Sequence, residues 1–177
     1  DFHSGGKTLD FIPFAAAHVL PDKEQEARCV AAMKAFGAPY AMMMLELDAV
    51  GMFDTVVEEA GKTFVTTELG GGGSTTAERV AIADRGVRNL LIHAGIMTGD
   101  IEPAPSGTTM LDMPDDSCFV ASEATGLFEP CVDLGAMVKK GDLIARIYDV
   151  ERTGTPPREY HAARDGILSC RHFPGLI

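Results

Sequence analysis

Apolar and polar residues alternate along the first hundred positions in a pattern that predicts strands separated by helices. Three apolar runs have the length or the β-branched and aromatic composition of strands. They cover residues 8–17, which Pro13 interrupts, residues 40–47 and residues 62–69. Strands that alternate with helices indicate an α/β fold with a mostly parallel sheet.

Two helices are predicted between and after these strands. Asp22 and Gln25 are suited to cap a first helix that Gly37 ends. Thr75 and Glu78 have the spacing of a capping box for a second, longer helix. The apolar residues of that helix that we expect to face the core are Val80, Val87, Leu90, Leu91 and Ala94.

The pattern changes after about residue 100, where a proline-rich segment, 101–107, is followed by short apolar runs between glycines and prolines. This pattern is typical of a small all-β barrel or sandwich. We therefore expect two domains, an α/β domain over residues 1–100 and a β domain over residues 101–177.

Composition excludes several classes of partner. Fifteen basic residues stand against 26 acidic ones, which gives a formal net charge of −11. A nucleic-acid backbone or an anionic membrane surface requires clustered Lys and Arg, so neither partner is expected. The four cysteines lie far apart without a CxxC pair, which favours free thiols in a reducing cytoplasm.

Candidate chemistry lies in two short segments. In Asp1-Phe2-His3, alternate side chains of a strand point to the same face, so a carboxylate could orient an imidazole that binds a metal. Glu68 ends a predicted strand and precedes four glycines, a position where a carboxylate can act as a general base. The alternatives are a histidine that caps a loop and a solvated strand end. His18 is interpreted as structural rather than as a substrate contact.

Together, Asp1-Phe2-His3 and Glu68-Leu69-Gly70 resemble two motifs of the succinylglutamate desuccinylase/aspartoacylase family of zinc hydrolases, whose fold is related to that of zinc carboxypeptidases. The resemblance implies hydrolysis of a small N-acyl amino acid with one zinc ion. It implies that His3 is a zinc ligand, that Asp1 orients a ligand and that Glu68 is the catalytic base.

The same resemblance carries further expectations. Ser4, Gly5 and Gly70 are expected to contact the substrate. The first motif of the family, His-Gly-x-Glu, supplies two more zinc ligands and has no counterpart in these residues. We therefore expect roughly a hundred further residues upstream, and we expect this chain alone to be inactive.

Additional motifs resemble one branch of the family, which removes an acetyl group from a diamino acid in the bacterial cytoplasm. A deacylase for a different N-acyl amino acid is the alternative, and a homo-oligomer is compatible with both. These motifs are His18-Val19-Leu20-Pro21-Asp22, Gly86-Val87-Arg88-Asn89, Gly126-Leu127-Phe128-Glu129-Pro130 and Arg171-His172-Phe173-Pro174-Gly175.

The second domain leaves a hypothesis of a different class open. The resemblance implies a biotinyl/lipoyl-type barrel that covers the catalytic domain, and Val138-Lys139-Lys140-Gly141-Asp142 fits a turn that enters a strand of such a fold. A non-catalytic carrier module would carry its cofactor on Lys139 or Lys140. A covalent biotin or lipoate on either lysine, seen by mass spectrometry, would favour the carrier.

Overall fold

The computed structural model describes residues 1–45 and 50–177. Within these residues the α-helices are α1 (Lys23–Phe36), α2 (Phe53–Glu59) and α3 (Ala77–His93). The strands are β1 (Leu9–Phe11), β2 (Phe14–His18), β3 (Tyr40–Met44), β4 (Thr66–Glu68), β5 (Thr109–Asp112), β6 (Leu127–Pro130), β7 (Met137–Val138), β8 (Leu143–Tyr148), β9 (Arg158–His161), β10 (Gly166–Ile167) and β11 (Cys170–His172). The fold is mixed α/β, as the sequence predicts.

The main sheet has four strands in the order β4-β2-β3-β5. β2 pairs in parallel with β3, and β3 pairs in parallel with β5, whereas β4 is antiparallel to β2. All five residues of β2 are buried because both faces of this central strand are covered. One face, with Ala15 and Ala17, packs on the helix residues Met33 and Ile82.

The other face of the main sheet packs on the C-terminal part of the chain. Phe14 and Ala16 of β2 form a second apolar cluster with Met42 of β3, against which Leu134 and Ile167 pack. β1 and β11 also form an antiparallel pair, which ties the start of the chain to its last strand. The two parts of the chain therefore share a core.

The C-terminal part contains a three-stranded antiparallel sheet in the order β6-β8-β9 and the antiparallel pair β7-β10. β5 follows the expected boundary at residue 100 but belongs to the main sheet. The sequence did not reveal this because a four-residue strand with exposed positions lacks a strong apolar pattern. No helix in the described part of the chain is both long and apolar enough to cross a membrane.

The first predicted helix is confirmed, but Gln25 does not complete a capping box, because its side-chain amide donates to the carbonyls of Glu58 and Lys62 instead. The Asp22 side chain accepts hydrogen bonds from the backbone N–H groups of Glu24 and Gln25. The helix ends at Gly37, whose φ of 73° places it in the left-handed region and whose N–H donates to the Lys34 carbonyl. Local signals fixed both ends of this helix.

The second predicted helix exists, but two details of its prediction are wrong. Thr76, rather than Thr75, is the N-cap, and its hydroxyl accepts from the Arg79 N–H, so Glu78 is not part of a capping box. Of the five expected core residues, Leu90 does pack against the core, whereas Ala94 is exposed and Val80, Val87 and Leu91 are 37–55% exposed. The buried residues of α3 are Ile82, Gly86 and Asn89.

Two strand predictions are corrected in length. The strand expected over 62–69 covers only Thr66–Glu68. The run expected over 40–47 is a strand over Tyr40–Met44, and residues 46 and 47 lie outside the described residues. The sequence also gave no indication of α2. This helix contacts His18, because Glu58 Oε1 lies 3.0 Å from His18 Nδ1. His18 is buried, and these contacts support the structural interpretation of this histidine.

Gly86 explains why the buried face of α3 differs from the apolar stripe. A Cβ at this position would collide with the ring of Phe36, a residue that is fully buried. The missing side chain lets α1 and α3 pack closely at this point. This contact turns Ile82 and Asn89 towards the core and leaves Val80 and Val87 exposed to solvent.

Gly86→Ala should therefore destabilise the protein by about 1–3 kcal/mol, because overpacking outweighs the helix propensity of alanine. Propensity alone predicts stabilisation of about 1 kcal/mol. The matched control is Ala81→Gly at an exposed position of the same helix, which should cost about 1 kcal/mol. Urea unfolding measures the change in unfolding free energy of both variants. A stabilised Gly86→Ala variant would contradict the close packing of α1 on α3.

Candidate active site

The segment that begins the chain runs beside the end of β4. The His3 N–H donates to the Thr67 carbonyl at 3.2 Å, and the Leu69 N–H donates to the His3 carbonyl at 3.0 Å. These bonds pair His3 with Glu68 in a parallel bridge. Because adjacent strands share their pleat, the paired side chains of His3 and Glu68 project from the same face.

Asp1 lies next to His3, as the alternation of side chains predicts. Its Oδ2 is 3.4 Å from His3 Nε2, while 57% of the His3 side chain remains exposed. A carboxylate at Nε2 favours a proton on this nitrogen and leaves the lone pair on Nδ1. The imidazole is therefore oriented and still accessible to a metal ion or a ligand.

Glu68 differs from an ordinary strand-end carboxylate. Its Oε2 is buried and accepts no hydrogen bond from the described part of the chain. Burial raises the pKa of this carboxyl to about 7. An unpaired buried carboxylate oxygen is unfavourable for stability, and such groups are concentrated at functional sites.

Glu68 also lies among groups of the last strand. Burial raises the pKa of the Cys170 thiol to about 12, and the negative charges of Glu68 and Asp10 add to this shift. The thiol is therefore protonated and not a nucleophile at neutral pH. The carboxyl group of Glu68, by contrast, has a pKa that suits proton transfer near neutral pH.

The two glycines of the expected substrate site contact each other. The Gly5 N–H donates to the Gly70 carbonyl at 2.8 Å, and a Cβ at Gly5 would collide with the Leu9 carbonyl. These backbone groups hold the loops together, and their contact with substrate stays a prediction. The glycines after Glu68 pack on the same loop: the Gly72 N–H donates to the Leu9 carbonyl at 3.0 Å.

An open cleft of about 280 Å³ lies beside these loops. His3 and the expected substrate residue Ser4 contribute to it, together with Arg79 of α3. Glu68 does not line the cleft, although its neighbour Leu69 does. The residues around the cleft are Phe2, His3, Ser4, Leu69, Ser74, Thr75, Arg79, Val80 and Ala83.

Arg79 and Asp10 are the residues of this region that sequence reasoning missed. Arg79 Nη2 lies 3.2 Å from Asp10 Oδ1, and the two side chains are 19% and 16% exposed. A signal was present, because Arg79 lies in the first turn of the helix that follows the glycines. A basic residue at a helix start opposes the macrodipole and therefore suggests a partner elsewhere.

The metal-binding chemistry of the described residues is incomplete. A catalytic zinc ion in a protein has three protein ligands and an open position for water or substrate. No group of three or more His, Cys, Asp or Glu residues in the described ranges could hold a metal ion. The accessible imidazole of His3 and the unpaired oxygen of Glu68 fit one ligand and one base of such a site, but not the complete set.

The lysines of the carrier hypothesis lie in the turn between β7 and β8. Lys139 Nζ lies 2.9 Å from Asp165 Oδ2, and the Lys140 N–H donates to Asp165 Oδ1 at 2.8 Å. The amine of Lys139 is thus engaged in an exposed ion pair. Attachment of a cofactor to either lysine is untested.

Comparison with known proteins identifies the class of this chain. Residues 1–94 match the family model described as succinylglutamate desuccinylase/aspartoacylase catalytic domain. The chain belongs to this family, and the resemblance seen in the sequence is confirmed.

Several relatives are similar over the whole chain. The N-alpha-acetyl-L-2,4-diaminobutyric acid deacetylase of Halomonas elongata is 55% identical over 177 residues. The product-bound structure of the ectoine utilization protein EutE (DoeB) from Ruegeria pomeroyi is 62% identical, with a TM-score of 0.97. A succinylglutamate desuccinylase/aspartoacylase from Rhodobacter sphaeroides is 34% identical, with a TM-score of 0.91.

The chain spans about half the length of these relatives. All of this chain is covered in each comparison, against 52% of the Halomonas protein and 53% of the Ruegeria and Rhodobacter chains. The matched half contains both motifs that carry the sequence resemblance, Asp1-Phe2-His3 and Glu68-Leu69-Gly70.

Proposed function

We propose that this chain is part of a zinc-dependent hydrolase that deacetylates N-acetyl-L-2,4-diaminobutyrate in ectoine breakdown. The pairing of His3 with Glu68 is the observation that carries the proposal, because it sets an accessible imidazole beside an unpaired buried carboxylate. The names of the Halomonas and Ruegeria relatives support the choice of substrate and pathway. An expected cytoplasmic location and a homo-oligomeric state stay predictions.

His3 would hold the zinc ion through Nδ1, and Asp1 would orient the ring through Nε2. The family resemblance assigns the other two ligands to a His-Gly-x-Glu motif, which these residues do not contain. When bound, zinc would polarise the acetyl carbonyl and make water more acidic.

Glu68 would act as the proton carrier of the reaction. As a carboxylate, Glu68 would take a proton from the water that attacks the acetyl carbon. The same carboxyl group would then deliver the proton to the amide nitrogen, which leaves as the amine. A bond thus forms between the acetyl carbon and the water oxygen, and the bond from that carbon to the amide nitrogen breaks. The products are acetate and L-2,4-diaminobutyrate.

The finer fold assignments belong to the same proposal. We expect the main sheet to be the zinc-carboxypeptidase-like part of the enzyme and the C-terminal strands to complete a small barrel that covers it. The shared core of Phe14, Ala16, Leu134 and Ile167 supports such a covering arrangement, because it fixes the C-terminal strands on one face of the sheet.

A deacylase for a different N-acyl amino acid is the second candidate, favoured by the family to which the chain belongs. The full-length protein should be assayed with N-acetyl-L-2,4-diaminobutyrate, N-acetylaspartate and N-succinylglutamate. We expect kcat/KM to be highest for the first substrate. A higher value for either of the others would replace the proposed substrate without removing the hydrolase.

A further inference from the structure

Arg79 is placed over the glycines that follow Glu68. The N-cap of α3 fixes its backbone, because the Arg79 N–H donates to Thr76 Oγ1 at 3.2 Å. Helical side chains lean towards the N-terminus of their helix, so the guanidinium is directed back towards the glycine run. It lies so close to Gly70 that a Cβ there would collide with Cζ, Nη1 and Nε of Arg79.

Asp10 also holds this guanidinium. The ion pair between Arg79 Nη2 and Asp10 Oδ1 measures 3.2 Å, and both side chains are largely buried. Asp10 is itself held in register by the pairing of β1 with β11. The ion pair therefore connects α3 to β1 across the glycine run.

Gly70 is the residue through which this connection can reach Glu68. It lies two positions after Glu68, and its φ of 105° is one that a glycine adopts readily and other residues rarely do. A glycine backbone has more freedom than any other, so its conformation must be fixed by contacts. The guanidinium on one side and the Gly5 N–H on the other supply such contacts.

We propose that Arg79, held by Asp10, is a positioning residue that fixes the Gly70 backbone and thereby the orientation of the Glu68 carboxylate opposite His3. The expected effect of Arg79 on the catalytic rate rests on the proposed function, whereas its expected effect on the Gly70 backbone does not. Arg79 acts here through Gly70 and not by binding the substrate, although its side chain reaches the cleft.

The test compares Arg79→Ala, Arg79→Lys and Asp10→Asn in the full-length enzyme with N-acetyl-L-2,4-diaminobutyrate. The matched control is Arg88→Ala, because Arg88 forms an Arg–Asp pair of the same 3.2 Å on the same helix but is exposed. We expect Arg79→Ala to lower kcat by about 10- to 100-fold, since a small misplacement of a catalytic group has effects of this size. KM should change by less than about twofold.

The conservative variant separates positioning from general damage. Lys at position 79 keeps the charge opposite Asp10 but lacks the planar fork that covers Gly70, so its kcat should lie between those of Arg79→Ala and wild type. The kcat of Asp10→Asn should fall in the same direction. A rise in KM with unchanged kcat would show that Arg79 binds substrate directly, which overturns the proposal.

Hydrogen exchange of the 68–73 backbone gives a readout independent of activity. Exchange should be faster in Arg79→Ala than in wild type and Arg88→Ala, because the glycine backbone loses a contact. Unchanged exchange in both Arg79→Ala and Arg79→Lys would overturn the proposal. If Arg79→Ala does not fold, the exchange rate of the 68–73 backbone in Asp10→Asn provides the same test. An inactive wild-type enzyme would reject the proposed function alone, while the exchange result would still decide the role of Arg79.

Discussion

Glu68→Gln should lower kcat of the full-length enzyme by about 10²- to 10⁴-fold, the usual contribution of a general acid–base group. Glutamine has the shape of glutamate but cannot take a proton from water. Glu68 Oε2 accepts no hydrogen bond from the described residues, so the substitution breaks no ion pair within them. Because a neutral amide avoids the cost of a buried charge, the unfolding free energy should not fall, and zinc content should be unchanged.

The matched control for this prediction is Glu24→Gln, at an exposed position in the first turn of α1. Steady-state rates of both variants with N-acetyl-L-2,4-diaminobutyrate, together with their melting curves, measure the effect. The control should keep the wild-type rate. A Glu68→Gln enzyme that keeps the wild-type kcat would remove Glu68 from the mechanism.

His3→Ala should weaken zinc binding by at least about 10- to 100-fold, since even residues behind the ligands have effects of that size. Activity should fall in parallel with zinc occupancy. The His3 side chain is 57% exposed, so stability without metal should change by only about 0.5 kcal/mol. Asp1→Asn should show a smaller loss of zinc affinity, because the amide orients the imidazole less strongly than a carboxylate does.

His93→Ala is the control for the zinc measurement. His93 is exposed in the last turn of α3, and its removal should leave the zinc affinity at the wild-type value. Competition with a chromogenic chelator gives the affinity of each variant. Equal zinc affinity of His3→Ala and His93→Ala would show that His3 is not a ligand.

Local chemistry explains which parts of the fold the sequence could predict. Asp22 and Gly37 bound α1 because a cap hydrogen bond and a left-handed glycine depend on adjacent residues only. The burial of α3 could not be predicted in the same way. Its buried face is set by the contact of Gly86 with Phe36, which lies 50 positions earlier in the chain, and this contact leaves Val80 exposed.

In the candidate site, too, contacts between neighbouring residues could be predicted from the sequence and contacts between distant residues could not. The contact of Asp1 with His3 follows from the two-residue repeat of a strand. The pairing of His3 with Glu68 joins positions 65 apart, and no spacing rule predicts it; the family resemblance implied only that both residues belong to one site. The ion pair of Asp10 with Arg79 joins positions 69 apart, and neither residue lies in the two motifs.

The proposed mechanism requires both zinc and Glu68 for hydrolysis of the amide. Its most direct test measures hydrolysis of N-acetyl-L-2,4-diaminobutyrate by the full-length enzyme after removal of metal with a chelator and during stepwise return of zinc. We expect activity to disappear with the metal and to return in proportion to added zinc, up to one ion per chain. Full activity in the metal-free enzyme, with no response to added zinc, would contradict it.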